Sequence, residues 1–172
     1  MVRSVFWLTA TKPCESTRCQ TCLLVSNVDS VKCNGHDVIS REGCCISRNV
    51  IYLGTCTLCN KGYVGKTANF LRSRINGHRA LYYKISLHNG DLNAFTNERN
   101  NDYNNDLSLA FHLFKAHNCD QRSDFNKFYN FTIIHHCSPD TLDSSEYKWI
   151  HRLRTLEPGG INSHNRFSIQ VL

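Results

Sequence analysis

A short hairpin with a cysteine pair at its tip constrains the fold of this chain more than any other feature of its sequence. Residues 50–53 form an apolar run and residues 62–65 form a second strand-like piece, which together predict a β-hairpin. Cys56 and Cys59 lie between the two pieces with the C-x₂-C spacing of metal ligands. Each piece also carries a tyrosine, Tyr52 in the first and Tyr63 in the second.

Apolar periodicity predicts three helices and one more strand after the hairpin. Asn69 is a candidate N-cap for the first helix, and the last helix is expected to begin near Asp140 and to stop at the Pro-Gly-Gly of residues 158–160. Residues 128–136 form an apolar run that predicts a buried strand. The second helix is expected to end near His117. The apolar faces of the three helices are marked by Leu71, Ile75, His78 and Tyr82, by Leu107, Ala110, Phe111 and Phe114, and by Leu142, Trp149, Ile150, Leu153 and Leu156. This order of elements predicts a small α+β domain.

The chain of 172 residues has the length of one domain with a small appendage. Residues 1–48 hold six of the ten cysteines, so we expect a Cys-rich, metal-binding leader followed by the main domain in residues 49–172. Residues 89–106 are rich in Asn and Asp and are expected to be a polar excursion from that domain. The N-terminal apolar stretch is too short for a signal peptide, and no run approaches the roughly 18 apolar residues of a membrane span. We therefore expect an intracellular protein in which clustered cysteines bind metal.

Basic residues are concentrated in one part of the chain, whose formal net charge is +6. Between Gly43 and Gly90 there are seven Lys or Arg residues and no Asp or Glu. A local excess of this kind suits a polyanionic partner such as DNA, and a solvated helix face is the structural alternative. The candidate DNA-binding cations are Lys61, Lys66, Arg72, Arg79 and Lys84.

Four further polar residues lie at positions that indicate either a functional or a structural role. Glu146 projects from the apolar stripe of the last helix, where a carboxylate requires either a salt bridge to an arginine or a hard cation such as Mg²⁺ or Mn²⁺. Arg74 and His78 are four residues apart on the first helix and share a face, from which an arginine can hold a phosphate. Asn162 follows a Gly-Gly turn, where its amide could orient a ligand or satisfy the loop backbone.

Taken together, these residues resemble the GIY-YIG nuclease domain over roughly residues 49–166. The motifs that carry the resemblance are Val50-Ile51-Tyr52, Tyr63-Val64-Gly65, Arg74 with His78, Glu146 and Asn162. Val50 stands where the first motif usually has glycine, and Val64 stands where the second has isoleucine. The family implies a short central antiparallel sheet of about three strands flanked by helices, here with a zinc-stabilised insertion. It also implies a metal-dependent DNA endonuclease.

The cysteine and histidine pairs look like those of the endonuclease domains of Penelope-like retroelements. That resemblance implies a CCHH zinc site formed by Cys56, Cys59, His112 and His117, with Cys119 as a rival ligand. In the leader, the spacing of Cys14, Cys19 and Cys22 suits a second zinc site, and incidental thiols are the alternative. Candidates for its fourth ligand are Cys33, His36, Cys44 and Cys45.

The mechanism that the family implies is in-line attack of water or hydroxide on a DNA phosphodiester, with one divalent ion bound by Glu146. Tyr52 would be the general base, although an unperturbed phenol has a pKa of about 10 and needs Lys66, Arg74 or the metal ion nearby to lower it. Tyr63 would position the water or the phosphate. Arg74 would stabilise charge on the phosphorane, and His78 would assist Tyr52 or hold the phosphate. Asn162 would orient the glutamate or the substrate.

Two other functions stay open from the sequence. One is a catalytically inactive, zinc-stabilised nucleic-acid-binding module from a decayed or domesticated element. The other is a secreted disulfide-linked protein, which the even number of cysteines allows. For the nuclease, the expected partners are DNA and a reverse transcriptase encoded elsewhere, no membrane is involved, and the expected location is the nucleus.

Overall fold

A computed structural model of the chain describes residues 10–88, 91, 107–119 and 123–164. These residues form the strands β1 (Thr11–Lys12), β2 (Ser30–Cys33), β3 (His36–Ile39), β4 (Gly43–Cys44), β5 (Val50–Cys56), β6 (Gly62–Thr67) and β7 (Tyr129–His136). They also form the helices α1 (Leu71–Ser86), α2 (Ser108–His117) and α3 (Leu142–Arg152), with short 3₁₀ turns at Gln20–Leu23, Phe125–Lys127 and Pro139–Thr141. The predicted polar excursion at residues 89–106 lies outside the described residues except for residue 91.

An antiparallel sheet of three strands, in the order β6-β5-β7, forms the centre of the fold. β5 and β6 form the predicted hairpin, in which Tyr52 lies opposite Gly65 and Gly54 lies opposite Tyr63. β7 pairs with the other edge of β5 and confirms the strand predicted at residues 128–136. All seven residues of β5 are buried, as expected for a central strand with both faces covered.

The two faces of the sheet pack against different helices. Alternation along β5 sends Tyr52 into one apolar cluster with the buried faces of α1 and α2, and it sends Ile51 and Leu53 into another with α3. The burial of Leu71, Ile75, His78 and Tyr82 confirms the predicted inward face of α1. A small sheet between helices is the predicted α+β class.

The start of α1 differs from the prediction at Asn69. The N-cap position is Phe70, and no side chain caps it. The amide of Asn69 instead donates to the hydroxyl of Thr67 at 3.1 Å. Two first-turn amides donate to backbone carbonyls of the leader, from Leu71 to Ser47 at 2.9 Å and from Arg72 to Cys45 at 2.8 Å. The leader therefore satisfies orphan donors that a capping side chain would otherwise satisfy.

The buried face of α2 is rotated from the predicted one. Leu109, Ala110 and Leu113 are buried, whereas Phe111 is only half-buried and carries Lys115 over its ring. The apolar and aromatic residues predicted the helix correctly but not which of its faces is buried. Large aromatic side chains also lie at the partly exposed rim of a core.

Helix α3 ends at Arg152, six residues before the predicted stop at Pro158. The chain turns because Arg154 adopts a left-handed conformation with φ of 50°. The amide of Thr155 then donates to the carbonyl of Ile150 at 3.0 Å and closes the helix end. Within α3, Leu142, Glu146 and Ile150 are buried.

The Cys-rich leader packs along β7. The amide of Phe131 donates to the carbonyl of Leu24 at 2.6 Å, and the amide of Ser26 donates to the carbonyl of Phe131 at 3.0 Å. The hydroxyls of Thr11, Ser40 and Thr132 form a buried hydrogen-bonded cluster. β1 pairs with β4, and β2 with β3. In the described ranges, no helix is long and apolar enough to cross a lipid bilayer.

Candidate active site and metal sites

The hydroxyl of Tyr52 brings together three of the six predicted catalytic residues, Tyr52, Arg74 and His78. Tyr52 lies fully buried on β5, and its hydroxyl is hydrogen-bonded to Nε2 of the buried His78 at 2.8 Å. Arg74 donates from Nε to the same oxygen at 3.2 Å. One turn of α1 separates Arg74 from His78, so both side chains reach the same oxygen from one face of the helix.

Tyr63 and Gly65 complete this cluster from the edge strand β6. The ring of Tyr63 lies 5.5 Å from that of His78 and 6.2 Å from that of Tyr52. The phenol end of Tyr52 lies directly over Gly65, where an added Cβ would meet Cζ of Tyr52 at 2.5 Å and Cε1 of Tyr63 at 2.8 Å. The glycine of the second motif therefore provides the space that the Tyr52 hydroxyl occupies.

Arg74 is a partly buried cation held between phenol oxygens. Burial by itself lowers the pKa of an arginine, but the neighbouring oxygens of Tyr52 and Tyr63 outweigh burial, and the net pKa of Arg74 is raised above its ordinary value. A guanidinium in this position stays charged at every physiological pH. It can stabilise negative charge on an oxygen within hydrogen-bonding distance, whether that oxygen belongs to a phenolate or to a phosphate.

Glu146 has a lysine as a cation partner. The carboxylate is 3% exposed, and its Oε2 lies 3.3 Å from Nζ of Lys66 on β6. Lys66 also forms an ion pair with Asp143, which lies one turn earlier on α3. Lys66 was a candidate DNA contact, and the structure places it between two carboxylates. Sequence reasoning missed Asp143, although its i, i+3 spacing from Glu146 on a helix was a usable signal.

The phenol cluster and the carboxylates approach β6 from opposite sides. Gly65 faces Tyr52, and the next residue, Lys66, points to α3, because side chains alternate along a strand. Adjacent residues of the edge strand, Gly65 and Lys66, therefore contact the Tyr52 cluster and Glu146 respectively.

Asn162 is fully buried against the backbone of β6. Its Nδ2 donates to the carbonyl of Val64 at 2.8 Å, and its Oδ1 accepts from the amide of Val64 at 2.9 Å. These bonds satisfy the backbone of β6 at the edge of the sheet, whereas the expected alternative to orienting a ligand was a bond to the loop backbone. The role predicted from the family, orientation of the glutamate or the substrate, stays a prediction.

The Cys-x₂-Cys pair meets two histidines of α2. The ligand atoms of Cys56, Cys59, His112 and His117 all lie within 4.8 Å of one another. The distance from Sγ to Nε2 is 3.5 Å for Cys56 with His117 and 3.3 Å for Cys59 with His112, and the two Nε2 atoms lie 3.2 Å apart. Tetrahedral zinc would hold such atoms about 3.3–3.8 Å apart. These four residues could hold a structural zinc ion, and Cys119 is not among them.

The ionisation of these side chains suits the binding of a cation. Burial raises the pKa of the Cys56 thiol to about 11, and burial together with the neighbouring His117 and Lys61 lowers the pKa of His112 to about 4. His112 is therefore a neutral imidazole at pH 7, the form that binds metal. A zinc ion would supply the positive charge that a buried thiolate needs.

A second group of four ligands lies in the leader. Cys14, Cys19, Cys22 and Cys45 have their sulfurs within 4.8 Å of one another, which selects Cys45 from the four candidate ligands. The Sγ of Cys22 lies 3.6 Å from that of Cys14 and 3.6 Å from that of Cys45. All ten cysteines are free, and 3.6 Å is far beyond a disulfide bond of about 2.05 Å. These thiols suit a zinc ion and do not support the disulfide-linked alternative.

The remaining candidate DNA-binding cations differ in what they contact. Arg79 donates to Asn126, to Asn76 and to the carbonyl of Gln20, so it ties the leader to α1. Lys61 donates to the carbonyl of Pro158 at 2.8 Å. Arg72 and Arg48 lie over the ring of Phe70 at 5.3 Å and 5.1 Å, and Lys84 is exposed in the last turn of α1.

Comparison of the chain with protein-family models, with curated proteins and with solved structures found no match.

Proposed function

We propose that this chain is a metal-dependent DNA endonuclease of the GIY-YIG type, related to those of Penelope-like retroelements. The observation that carries the proposal is the hydrogen-bonded group of the buried Tyr52 and His78 with the partly buried Arg74, formed between β5 and α1. A guanidinium, a phenol and an imidazole joined at one oxygen form an arrangement suited to proton transfer beside a bound phosphate.

Arg74 and His78 act on Tyr52 from two sides. Because Arg74 only donates hydrogen bonds, the phenol proton is directed to Nε2 of His78, and the guanidinium favours the phenolate that remains. The phenolate then accepts a proton from the attacking water. Arg74 also stabilises the charge that develops on the phosphate oxygens, and Tyr63 packs beside the pair and positions the water or the phosphate.

The carboxylates of α3 have the donor chemistry that a catalytic divalent ion requires. Mg²⁺ and Mn²⁺ bind one or two carboxylates and keep positions for water and phosphate. Glu146 would be the main ligand, with the exposed Asp143 one turn away as a second donor. When bound, the ion supplies charge stabilisation near the leaving oxygen. Lys66 would then release the carboxylates and turn to the DNA phosphate.

Zinc has a structural part in this proposal. The CCHH group connects the tip of the β5–β6 hairpin to α2, and the Cys₄ group connects the leader to the start of α1. Both ions would hold elements that carry Tyr52, Tyr63 and Arg74. DNA is the proposed substrate, a separately encoded reverse transcriptase is a proposed partner, and the nucleus is the proposed location.

The test is nicking of supercoiled plasmid by the zinc-loaded protein in Mg²⁺ and in Mn²⁺. We expect nicking to fall about 10²–10³-fold in Glu146→Ala and Arg74→Ala, because each removes charge stabilisation at the phosphate. Glu42→Gln, an exposed carboxylate, is the control for Glu146. Tyr52→Phe and Tyr147→Phe form a second matched pair, because Tyr147 lies exposed on α3. A folded, zinc-loaded wild type that leaves the plasmid intact in both metals would refute the proposal.

A catalytically inactive nucleic-acid-binding module is the second candidate function, and one observation favours it. The ion pair with Lys66 already accounts for the burial of Glu146, so a catalytic ion is not needed to explain that carboxylate. Under this alternative the protein binds DNA with affinity that falls steeply with salt, and no metal induces nicking. The plasmid assay separates the two candidates.

A further inference from the structure

A groove lies between the β2–β3 hairpin and the outer side of α3, and the proposed nuclease does not use it. Its volume is about 610 Å³, and residues 36–39, Arg41 and His135 line it together with Ser145, Lys148, Trp149 and Arg152 of α3. His135 lies on β7, at the opposite edge of the sheet from β6 and Lys66. Tyr52, Lys66 and Glu146 are not among the residues that line the groove.

An aromatic platform forms one wall of the groove. Trp149 is half-buried, and the guanidinium carbon of the exposed Arg152 lies 4.9 Å from the centre of its ring. The imidazole of His135 lies 6.2 Å from the same ring. Stacking of a nucleobase on tryptophan is stronger than an exposed cation–π contact, so a base can take the place of Arg152 on the indole.

Exposed cations surround this platform. Arg41, Lys148 and Arg152 line the groove and are all exposed, whereas Asp37 is the one acidic residue among its lining residues. Three cations around a tryptophan match a ligand that has both a flat apolar ring and negative charges at regular spacing. An acidic peptide would satisfy the cations but would leave the indole without a flat partner.

We propose that this groove binds a single-stranded nucleic-acid segment, with a base stacked on Trp149 and its phosphates on Arg41, Lys148 and Arg152. A volume of about 610 Å³ admits one or two nucleotides. Duplex DNA does not fit this description, because its base faces are covered by neighbouring pairs. If the proposed function holds, on which this step rests, the groove would hold an unpaired strand while the duplex is bound near β6.

Fluorescence of Trp149 tests the proposal directly. The chain has two tryptophans, so Trp7→Phe leaves Trp149 as the single reporter. The zinc-loaded full chain is titrated with an oligothymidylate of about eight nucleotides, a length within the usual site sizes. No Mg²⁺ or Mn²⁺ is added, so the result does not depend on the nuclease proposal. We expect saturable quenching, with a slope of about −2 in log affinity against log salt for three phosphate contacts.

Two comparisons separate base stacking from attraction between charges. An abasic oligonucleotide of equal length and charge is expected to bind about fivefold or more weakly and to leave the fluorescence unchanged. Lys148→Gln is expected to reduce the salt slope by about 0.7, and Lys127→Gln, an exposed lysine at the end of a 3₁₀ turn, is the matched control.

The proposal is overturned if the oligothymidylate produces no quenching, or if the abasic strand binds equally well. It is also overturned if polyglutamate competes as strongly as the oligonucleotide, since that result would identify an acidic peptide as the occupant. If the wild-type protein does not nick plasmid but the oligothymidylate still quenches Trp149, the nuclease proposal fails and the groove proposal stands.

Discussion

Gly65→Ala tests the packing on which the proposed active site depends. The added Cβ would lie 2.5 Å from Cζ of Tyr52, closer still to its hydroxyl, and 2.8 Å from Cε1 of Tyr63. Carbon atoms pack at about 3.5–4.0 Å, so the Tyr52 ring would have to move by roughly 1 Å. That ring is enclosed by Tyr63, His78 and Phe131, with centroids 6.0–6.2 Å away, so the movement meets resistance.

The structure gives this change two measurable consequences. Overpacking a filled core costs about 1–3 kcal/mol of unfolding free energy, which for a chain of this size lowers the melting temperature by about 2–12 °C. A shift of about 1 Å would also break the hydrogen bonds from Tyr52 to His78 and Arg74, which are 2.8 Å and 3.2 Å long. Plasmid nicking is therefore expected to fall by about 10²-fold.

Gly77→Ala is the matched control, because it makes the same chemical change without a clash. An added Cβ at Gly77 meets no atom within 4 Å beyond its chain neighbours and the nearby backbone of its own helix, and the residue lies inside α1. Alanine is the better helix former by about 0.5–1 kcal/mol, so this variant should melt at a higher temperature than wild type. Thermal melts followed by circular dichroism, with zinc in the buffer, measure both variants.

The reasoning would be refuted by a Gly65→Ala protein that melts at or above the wild-type temperature and nicks plasmid at the wild-type rate. A protein that melts lower but cleaves normally would retain the packing argument and reject the role of the Tyr52 hydroxyl.

Three further predictions concern the metal sites, the sheet edge and alkaline pH. Elemental analysis is expected to find two zinc ions per chain, and Cys45→Ser and Cys56→Ser should each lower the zinc content by one; an unchanged content would reject the corresponding site. Asn162→Ala should lower the unfolding free energy by about 1–3 kcal/mol in urea titrations, because it leaves the amide and carbonyl of Val64 without their partner; wild-type stability would reject this role. Burial raises the pKa of Cys33 to about 11 from an ordinary value of 9.0, so the folded thiol keeps a proton that the unfolded chain releases, and stability should fall as pH rises from 9 towards 11. Cys33→Ala should show a shallower decline in the same pH series.

Local periodicity was enough to predict the central elements. The apolar run at residues 50–53 and the motif at residues 62–65 pair as the predicted hairpin, and Leu71, Ile75 and Tyr82 recur at the helical period and are buried on α1. These predictions succeed because the sequence pattern reflects burial within one element. The same pattern placed the end of α3 too late, since a left-handed residue at Arg154 leaves no trace in apolar periodicity.

Contacts between segments far apart in the chain could not be predicted from the sequence. The choice of Cys45 depends on a loop that returns it to Cys22, 23 residues earlier, and its neighbour Cys44 has the same chemistry at nearly the same spacing. Lys66 was expected to face DNA because nothing local indicates that β6 and α3 bring it to Glu146. The sequence correctly required a cation for Glu146, because desolvation of a carboxylate does not depend on which cation compensates it.

The hydrogen bonds from the start of α1 to the leader limit how this chain can be shortened for expression. A version beginning at residue 49 would keep Tyr52, Tyr63, Arg74, Glu146 and Asn162, yet it would lose the carbonyls of Cys45 and Ser47 that receive the first amides of α1. It would also expose the edge of β7 that Leu24 and Ser26 now cover. Trimming the chain to residues 49–172 would therefore loosen the helix that carries Arg74 and create a sheet edge prone to aggregation. The leader belongs in any protein prepared for assay.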